Sequence, residues 1–313
     1  MVGESLITVL AGGVGAARFL QGLVRVHPEE EIVIINNTAD DIEFYGLHIS
    51  PDIDIVMYTL AGIVDEERGW GIKQDTFQCQ DTVARLGYEA WFRLGDQDLA
   101  THIFRTNELR KGLKLSQATE KLSKALGLRV KILPMTDDPV ETRIRTDEGN
   151  IHFQEYMVKR RMTDNVQAVE FSGMEKAEAA PGVLESIMNA ETTIVAPSNP
   201  IVSIGPILAV RGVRDALKKS KGKAVAVTPI IKGSAIKGPA DRMMRSLGLE
   251  VSAFGVAQLY QDFLYGFVLD GLDRDQKPRV EDLGLQVAVT NTLMSNLEDK
   301  MRLAKVCLEL TRQ

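Results

Sequence analysis

The chain has 313 residues and two cysteines, Cys79 and Cys307. Two thiols cannot build a disulfide framework or, by themselves, a zinc site, and they fit a reducing cytoplasm. No apolar run approaches the ~20 residues that cross a bilayer. No cationic stretch precedes the first apolar segment, so neither a membrane partner nor a signal peptide is expected. Histidine is sparse: His27, His48, His102 and His152 are scattered without the spacing of a metal site. There is no basic surplus either. Lys and Arg number 37 against 43 Asp and Glu, a net charge of −6. Nucleic-acid affinity is driven by phosphate neutralisation, so a nucleic-acid partner is disfavoured. An anionic substrate would have to be held locally, by glycine amides, helix ends or a metal ion. There is no G-x-S-x-G elbow and no Cys/His pair, so nucleophilic hydrolysis finds no support.

What is present is an ordinary globular balance, 44% apolar and 26% charged, with length enough for a sizeable core. The segment ITVLAGGVGAARFLQGL (7–23) begins as a strand, breaks at glycines and resumes with helical spacing. Phe19, Leu20, Leu23 and Val24 share one helical face. EIVIIN (31–36) is a second strand, so the pair should be parallel with a right-handed crossover. The alternation returns late. TTIVA, KAVAVT, EVSAF, GFVLD and LQVAVT read as strands. RGVRDALKKS, GPADRMMRSLG, VAQLYQDFLY and residues 292–312 read as helices. In the middle, LSQATEKLSKALG is a helix and RVKILPM a strand, while VETRIRTDEGNIHFQEYMV alternates with period two around a turn, as an antiparallel hairpin does. The expectation is α/β: a doubly wound, mostly parallel sheet in a single domain over 1–313. Its core halves are 1–60 and 190–313, with a helical and hairpin insertion over 61–189.

Gly12, Gly13 and Gly15 stand where a parallel strand hands over to a helix. Without Cβ atoms they let backbone amides approach an anion, and the helix end adds partial positive charge. A tight turn with no ligand is the plainer alternative. The dinucleotide fingerprint is broken, because Arg18 stands where its third glycine belongs and the second strand ends in Asn36-Asn37 rather than an acid. No Walker lysine follows. The turn therefore reads as a phosphate site, not as an NAD site.

NNTADD (36–41) closes the second strand, where carboxylates face the ligand crevice. Acids beside a phosphate need a cation between them, and Mg²⁺ is the natural one, although a solvated acidic turn accounts for this segment alone equally well. In HISPDIDIVMYTL (48–60), Ser50 reads as an N-cap, Pro51 as the first helical residue and Asp52 as a complement to the helix dipole, which leaves Asp54 without a structural task. FRLGDQDLATHIFRTNELR carries Arg93, Asp96, Asp98, His102, Arg105 and Arg110, partly a solvated face, with His102 by default a core histidine. Thr136-Asp137-Asp138, Ser198-Asn199 and the loop with Lys232, Gly233, Lys237 and Gly238 each follow a strand, so all should converge on one sheet edge.

The stretches LAGGVGAARFL, NTADD, ISPDIDIVMYTLAG, RGWG, LGDQDLATHI, LPMTDDPVET, IHFQEY, APSNPIVSIGPIL and YQDF occur in order over almost the whole chain. Together they resemble the 2-phospho-L-lactate transferase family of deazaflavin coenzyme biosynthesis. The resemblance implies a Rossmann-like core, Mg²⁺ dependence and commonly a homodimer. It implies transfer of a 2-phospholactyl or phosphoenolpyruvyl group from a guanosine diphosphate conjugate to the ribityl hydroxyl of a deazariboflavin, with release of GMP. On this sequence it assigns Gly12, Gly13, Val14 and Gly15 to the diphosphate, and Ser198, Asn199 and Gly238 to the nucleotide. Asn37, Asp41 and Asp54 would contact the metal or the hydroxyl, Asp41 and Asp54 as catalytic groups. Asp54 and Arg93 would contact the deazaflavin. Which acid is carried (lactate, enolpyruvate or glycerate) is left open. Two alternatives compete: a nucleotide-sugar-binding regulator of a related bacterial family, which shares the glycine loop, and an NAD(P)-dependent dehydrogenase, which the broken fingerprint disfavours.

Overall fold

The computed structural model describes residues 6–312. Seven strands form its main sheet: β1 Ile7–Ala11, β2 Ile32–Asn36, β3 Lys131–Pro134, β4 Thr192–Val195, β5 Lys223–Val227, β6 Gly266–Asp270 and β7 Gln286–Thr290. From one edge they run β7, β6, β5, β4, β1, β2, β3, and every neighbouring pair is parallel. β1, β2 and β4 are buried along their whole length, which is why they read as unbroken apolar runs and not as alternation.

Five helices matter below: α1 Gly13–Leu23, α2 Pro51–Leu60, α3 Asp96–Arg110, α4 Leu115–Ala125 and α5 Leu297–Arg312. Successive strand residues point to opposite faces. Val9, Ile34, Ile194 and Val225 accordingly pack with α1, α2 and α5, whereas Leu10, Ile35, Val195 and Ala226 join a second cluster with the helices of residues 183–264. Phe19, Leu20 and Leu23 on α1 are fully buried, each contributing about 1.5–3 kcal/mol. From β1 the chain adds β2 and β3 on one side, while β4 begins the other side. The reversal opens a crevice at the carboxyl ends of β1 and β4.

Three elements differ from expectation. EVSAF is not a strand: Ser252 caps the helix Ala253–Tyr260, its hydroxyl accepting from the Gly255 amide at 2.9 Å. The hairpin Glu141–Thr146/Gly149–His152 forms, but its second strand stops early because the Gln154 amide turns back onto His152 Nδ1 at 3.0 Å, and Glu155–Lys159 wind into a π-helical turn. Val166–Ser172 then pairs with the free side of Glu141–Thr146, giving a three-stranded antiparallel sheet. The region 61–189 also supplies β3 to the main sheet, so the sheet is not drawn from the two core halves alone.

Candidate active site

The three glycines after β1 are required for three different reasons. Gly12 has an extended backbone that any residue adopts, but a Cβ there would lie 2.7 Å from Asp52 Oδ2 and 2.7 Å from Ser203 Cβ. Gly13 has φ +70°, the left-handed region. A Cβ on Gly15 would collide with the backbone carbonyl of Pro197. The N-cap residue offers no side chain to α1; of the first-turn amides, that of Gly13 is taken by the Asp52 carboxyl and the others are left to other partners.

These glycines floor a cavity of about 420 Å³. Asp40 and Asp52 stand beside them, and the walls come from Arg68–Trp70, Phe153–Met157, Pro197–Ser203 and Ile236–Ala240. The cavity brings together Gly12, Gly13, Val14, Gly15, Ser198, Asn199 and Gly238. The Ser198 hydroxyl is buried with no hydrogen-bond partner among the described residues. Asn199 Oδ1 is occupied by the amides of Ile201 (2.9 Å) and Val202 (3.3 Å).

Asn37, Asp41, Asp54 and Arg93 do not line this cavity. Asn37 is fully buried, its amide donating to Asp52 Oδ2 at 2.9 Å and to the Val202 carbonyl at 3.2 Å. Asp41 Oδ2 accepts from the Ser50 hydroxyl at 2.7 Å and pairs with His48 Nε2 at 2.9 Å. Ser50 thus precedes α2 without capping it through its side chain. Asp54 faces α3, where the fully buried Arg105 grips it through both terminal nitrogens, one at 3.1 Å to Oδ2. His102 lies 3.6 Å from Asp54 and 3.3 Å from Asp98, which also accepts from the Tyr58 hydroxyl at 2.7 Å. Arg93 is on the outside of the molecule, 3.2 Å from Asp81, with its guanidinium 4.4 Å over the Phe77 ring.

The structural task that Asp54 lacked in the sequence is therefore the Arg105 pair, and the acid beside the glycine turn is Asp52. Two helical residues differ by about 200° in azimuth, so only one of the two can face the cavity. The residues that sequence reasoning did not single out as ligands, Asp40, Trp70, Phe153, Gln154 and Met157, come from separate segments with no shared periodicity.

Burial pushes Asp52 up from 3.8 to about 7, against the bond from Asn37 and the amide of Gly13, and the nearby Asp41 adds to the rise. Asp40 is raised well above the carboxylate range, first by burial and next by Asp52. Asp40 Oδ1 and Asp41 Oδ1 are buried without hydrogen-bond partners among the described residues. No group of three or more His, Cys, Asp or Glu there is arranged to hold a metal by itself. Asp40, with its unpartnered oxygen, and Asp52, which repels it, do fit a divalent cation, since Mg²⁺ is commonly held by one or two carboxylates together with substrate phosphates.

The same pair sets a pH dependence. An acid whose pKa is higher folded than unfolded binds more protons when folded. Its contribution favours the fold below the unfolded pKa and is lost as pH rises through the folded one. For Asp52 the window runs from 3.8 to about 7 and is worth on the order of 4 kcal/mol. With a chelator present, the melting temperature is expected to fall between pH 5 and roughly 8. A flat melting profile over that range would show the two acids to be solvated or already neutralised.

A family model described as 2-phospho-L-lactate transferase CofD matches residues 7–288. A 2-phospho-L-lactate transferase from Methanosarcina mazei is 43% identical over 301 residues, covering 96% of this chain and 99% of that protein. A phosphoenolpyruvate transferase from Streptomyces griseus is 42% identical over 313 residues, covering 98% of each. A crystal structure of a UPF0052 family protein from Bacillus halodurans superposes with a TM-score of 0.67 at 14% identity, over 98% of this chain and 100% of that one, a likeness of fold. With a family model over most of its length and full-length relatives above 40% identity, this chain belongs to the 2-phospho-L-lactate transferase family.

Proposed function

We propose that this protein transfers a three-carbon phospho-acid, 2-phospholactyl or phosphoenolpyruvyl, from a guanosine diphosphate conjugate to the ribityl hydroxyl of a deazariboflavin, releasing GMP. The observation that carries the reading is the meeting, on one cavity floor, of bare glycine amides with the raised acid pair Asp40 and Asp52. The names of the relatives, one a phospholactate and one a phosphoenolpyruvate transferase, support a three-carbon acid as the group carried.

In this reading the amides of the glycine turn hold the diphosphate and stabilise charge building on the departing GMP. Asp40 and Asp52 would hold Mg²⁺, which would supply neutralisation of the phosphate charge. Asn37 fixes the Asp52 carboxylate in place. The unpartnered Ser198 hydroxyl faces the nucleotide. Trp70, Phe153 and Met157 offer apolar wall to flat rings. Phosphoryl transfer asks the protein mainly for positioning and charge neutralisation, and this floor supplies both. Asp54 and Arg105 hold α2, which carries Asp52, and so act by position.

The test is incubation with a deazariboflavin, Mg²⁺ and the guanylyl conjugate, followed by chromatography for GMP. Stoichiometric GMP and coupled deazaflavin product are expected, and both should vanish with chelator. Tight conjugate binding with no GMP formed would make the protein a nucleotide-binding module instead.

A further inference from the structure

A second hollow, of about 20 Å³ and so with room for little more than one water, adjoins the main cavity, and the two share Val14, Arg18, Ile55 and Gly69. Its polar wall is largely self-satisfied. Lys300, almost fully buried, donates to Gln21 Oε1 at 2.5 Å, and Gln21 Nε2 donates to Glu66 at 3.4 Å. Arg18 is different. It is half-buried where the two hollows meet, and its guanidinium has no hydrogen bond or ion pair among the described residues. It also stands close enough to Lys300 to help burial depress that ammonium, so a second positive charge is already felt there. A guanidinium kept from full solvation with no carboxylate in contact is set up for an anion of planar, two-oxygen geometry, even with Glu66 on the far side of the hollow.

The other cations of the cavity are less suited. Arg68 spends its fork on Asp65 at 2.7 Å and the Ile72 carbonyl at 3.0 Å. Lys237 is exposed on a loop. The donor proposed above carries two anionic parts, and the glycine amides answer the diphosphate. The remaining one is the carboxylate of the three-carbon acid, which both phospholactate and phosphoenolpyruvate possess. Val14 and Ile55, which line the main cavity beside Arg18, give it an apolar side for the third carbon.

We propose that Arg18, on the wall of the main cavity, forms the carboxylate subsite, with the guanidinium reading the acid of a short 2-phosphooxy carboxylate as a two-pronged pair. The assignment rests on the reading given under Proposed function. It gives Arg18, which displaces the third glycine of a dinucleotide turn, a positive purpose: it exchanges a helix–strand contact for recognition of the transferred group.

The experiment compares two guanosine diphosphate conjugates by calorimetry on the full chain with Mg²⁺. One carries lactate and the other an isopropyl group, which replaces the carboxylate by a methyl. The parent is expected to bind the lactate conjugate roughly 10- to 100-fold more tightly, as charge-assisted pairs do. In Arg18→Gln the preference should shrink to within about twofold, with affinity for GDP and for the isopropyl conjugate unchanged, and Arg18→Lys should restore part of it. A preference that survives in Arg18→Gln, or a parent without one, overturns the subsite. Loss of GDP affinity in Arg18→Gln would make Arg18 a diphosphate ligand and overturn it too. Failure of the parent to bind GDP at all would instead bring down the functional reading on which it rests.

Discussion

Asp52→Asn is expected to yield a protein that melts higher and works far more slowly. The Asp52 carboxyl is buried beside Asp40 and Asp41 with no cationic side chain in contact, and its pKa, about 7, records what ionising it costs. Asparagine keeps the shape, and its single carbonyl oxygen can still accept from one of the two donors, Asn37 or the Gly13 amide. The charge disappears, so at pH 8 the chelated variant should be more stable than its parent, by up to about 4 kcal/mol. Turnover should fall roughly 100- to 10,000-fold, the range for loss of a charged group acting at the reacting centre. GMP release at saturating donor and Mg²⁺, measured with thermal melts on the same preparations, checks both signs together. A variant that is less active because it is less stable would contradict the assignment, and so would one of parental activity. The trade of stability for a strained, charged site is familiar in enzymes, and here both halves of it are attached to one carboxylate.

Arg105→Met should cost about 3–5 kcal/mol of unfolding free energy, the penalty for leaving a buried partner charge alone. Arg105 is the largest fully buried side chain among the described residues, and both its terminal nitrogens reach Asp54. Burial is the strongest influence raising Asp54, and the Arg105 charge is the strongest lowering it. The same attraction keeps the guanidinium charged against its own burial. Remove the arginine, and Asp54 keeps the unfavourable Asp98 nearby while losing its main counter-charge. Urea unfolding followed by circular dichroism measures the cost. The double variant Arg105→Met, Asp54→Leu should regain most of it, because two apolar groups leave no orphan charge. A single variant within about 1 kcal/mol of the parent would mean that water reaches the pair.

How much of this could be read from the chain alone follows from the range of the interactions involved. The glycine turn is legible because its meaning is local: strand, bare amides and helix follow one another within 7–23. The parallel sheet is legible because strands buried on both faces leave apolar runs. The division of labour between Asp52 and Asp54 is not. Both sit in the first turn of α2, and which one faces the ligand depends on Arg105, 51 residues on from Asp54, arriving from α3. Local N-cap grammar even misdirects here, since Ser50 gives its hydroxyl to Asp41 instead of the helix. The EVSAF segment shows the same limit. Its apolar alternation is strand-like, yet Ser252 followed by Gly255 makes a helix start that only the capping bond reveals. The cavity walls from Arg68–Trp70 and Phe153–Met157 have no common period, because they are distant in sequence and meet only in the tertiary structure.

The space beside Gly12 has a historical consequence. Asp52 Oδ2 occupies the room a methyl group would need at position 12, and Asn37 ties that oxygen down from the other side. Neither position can drift independently: an alanine at 12 would evict the acid, and an acid tolerates no neighbour larger than hydrogen. Ser203 Cβ crowds the same point at 2.7 Å, so descendants that abandoned the chemistry would gain a larger residue at 12 only together with a non-acidic residue at 52 and a change at 203.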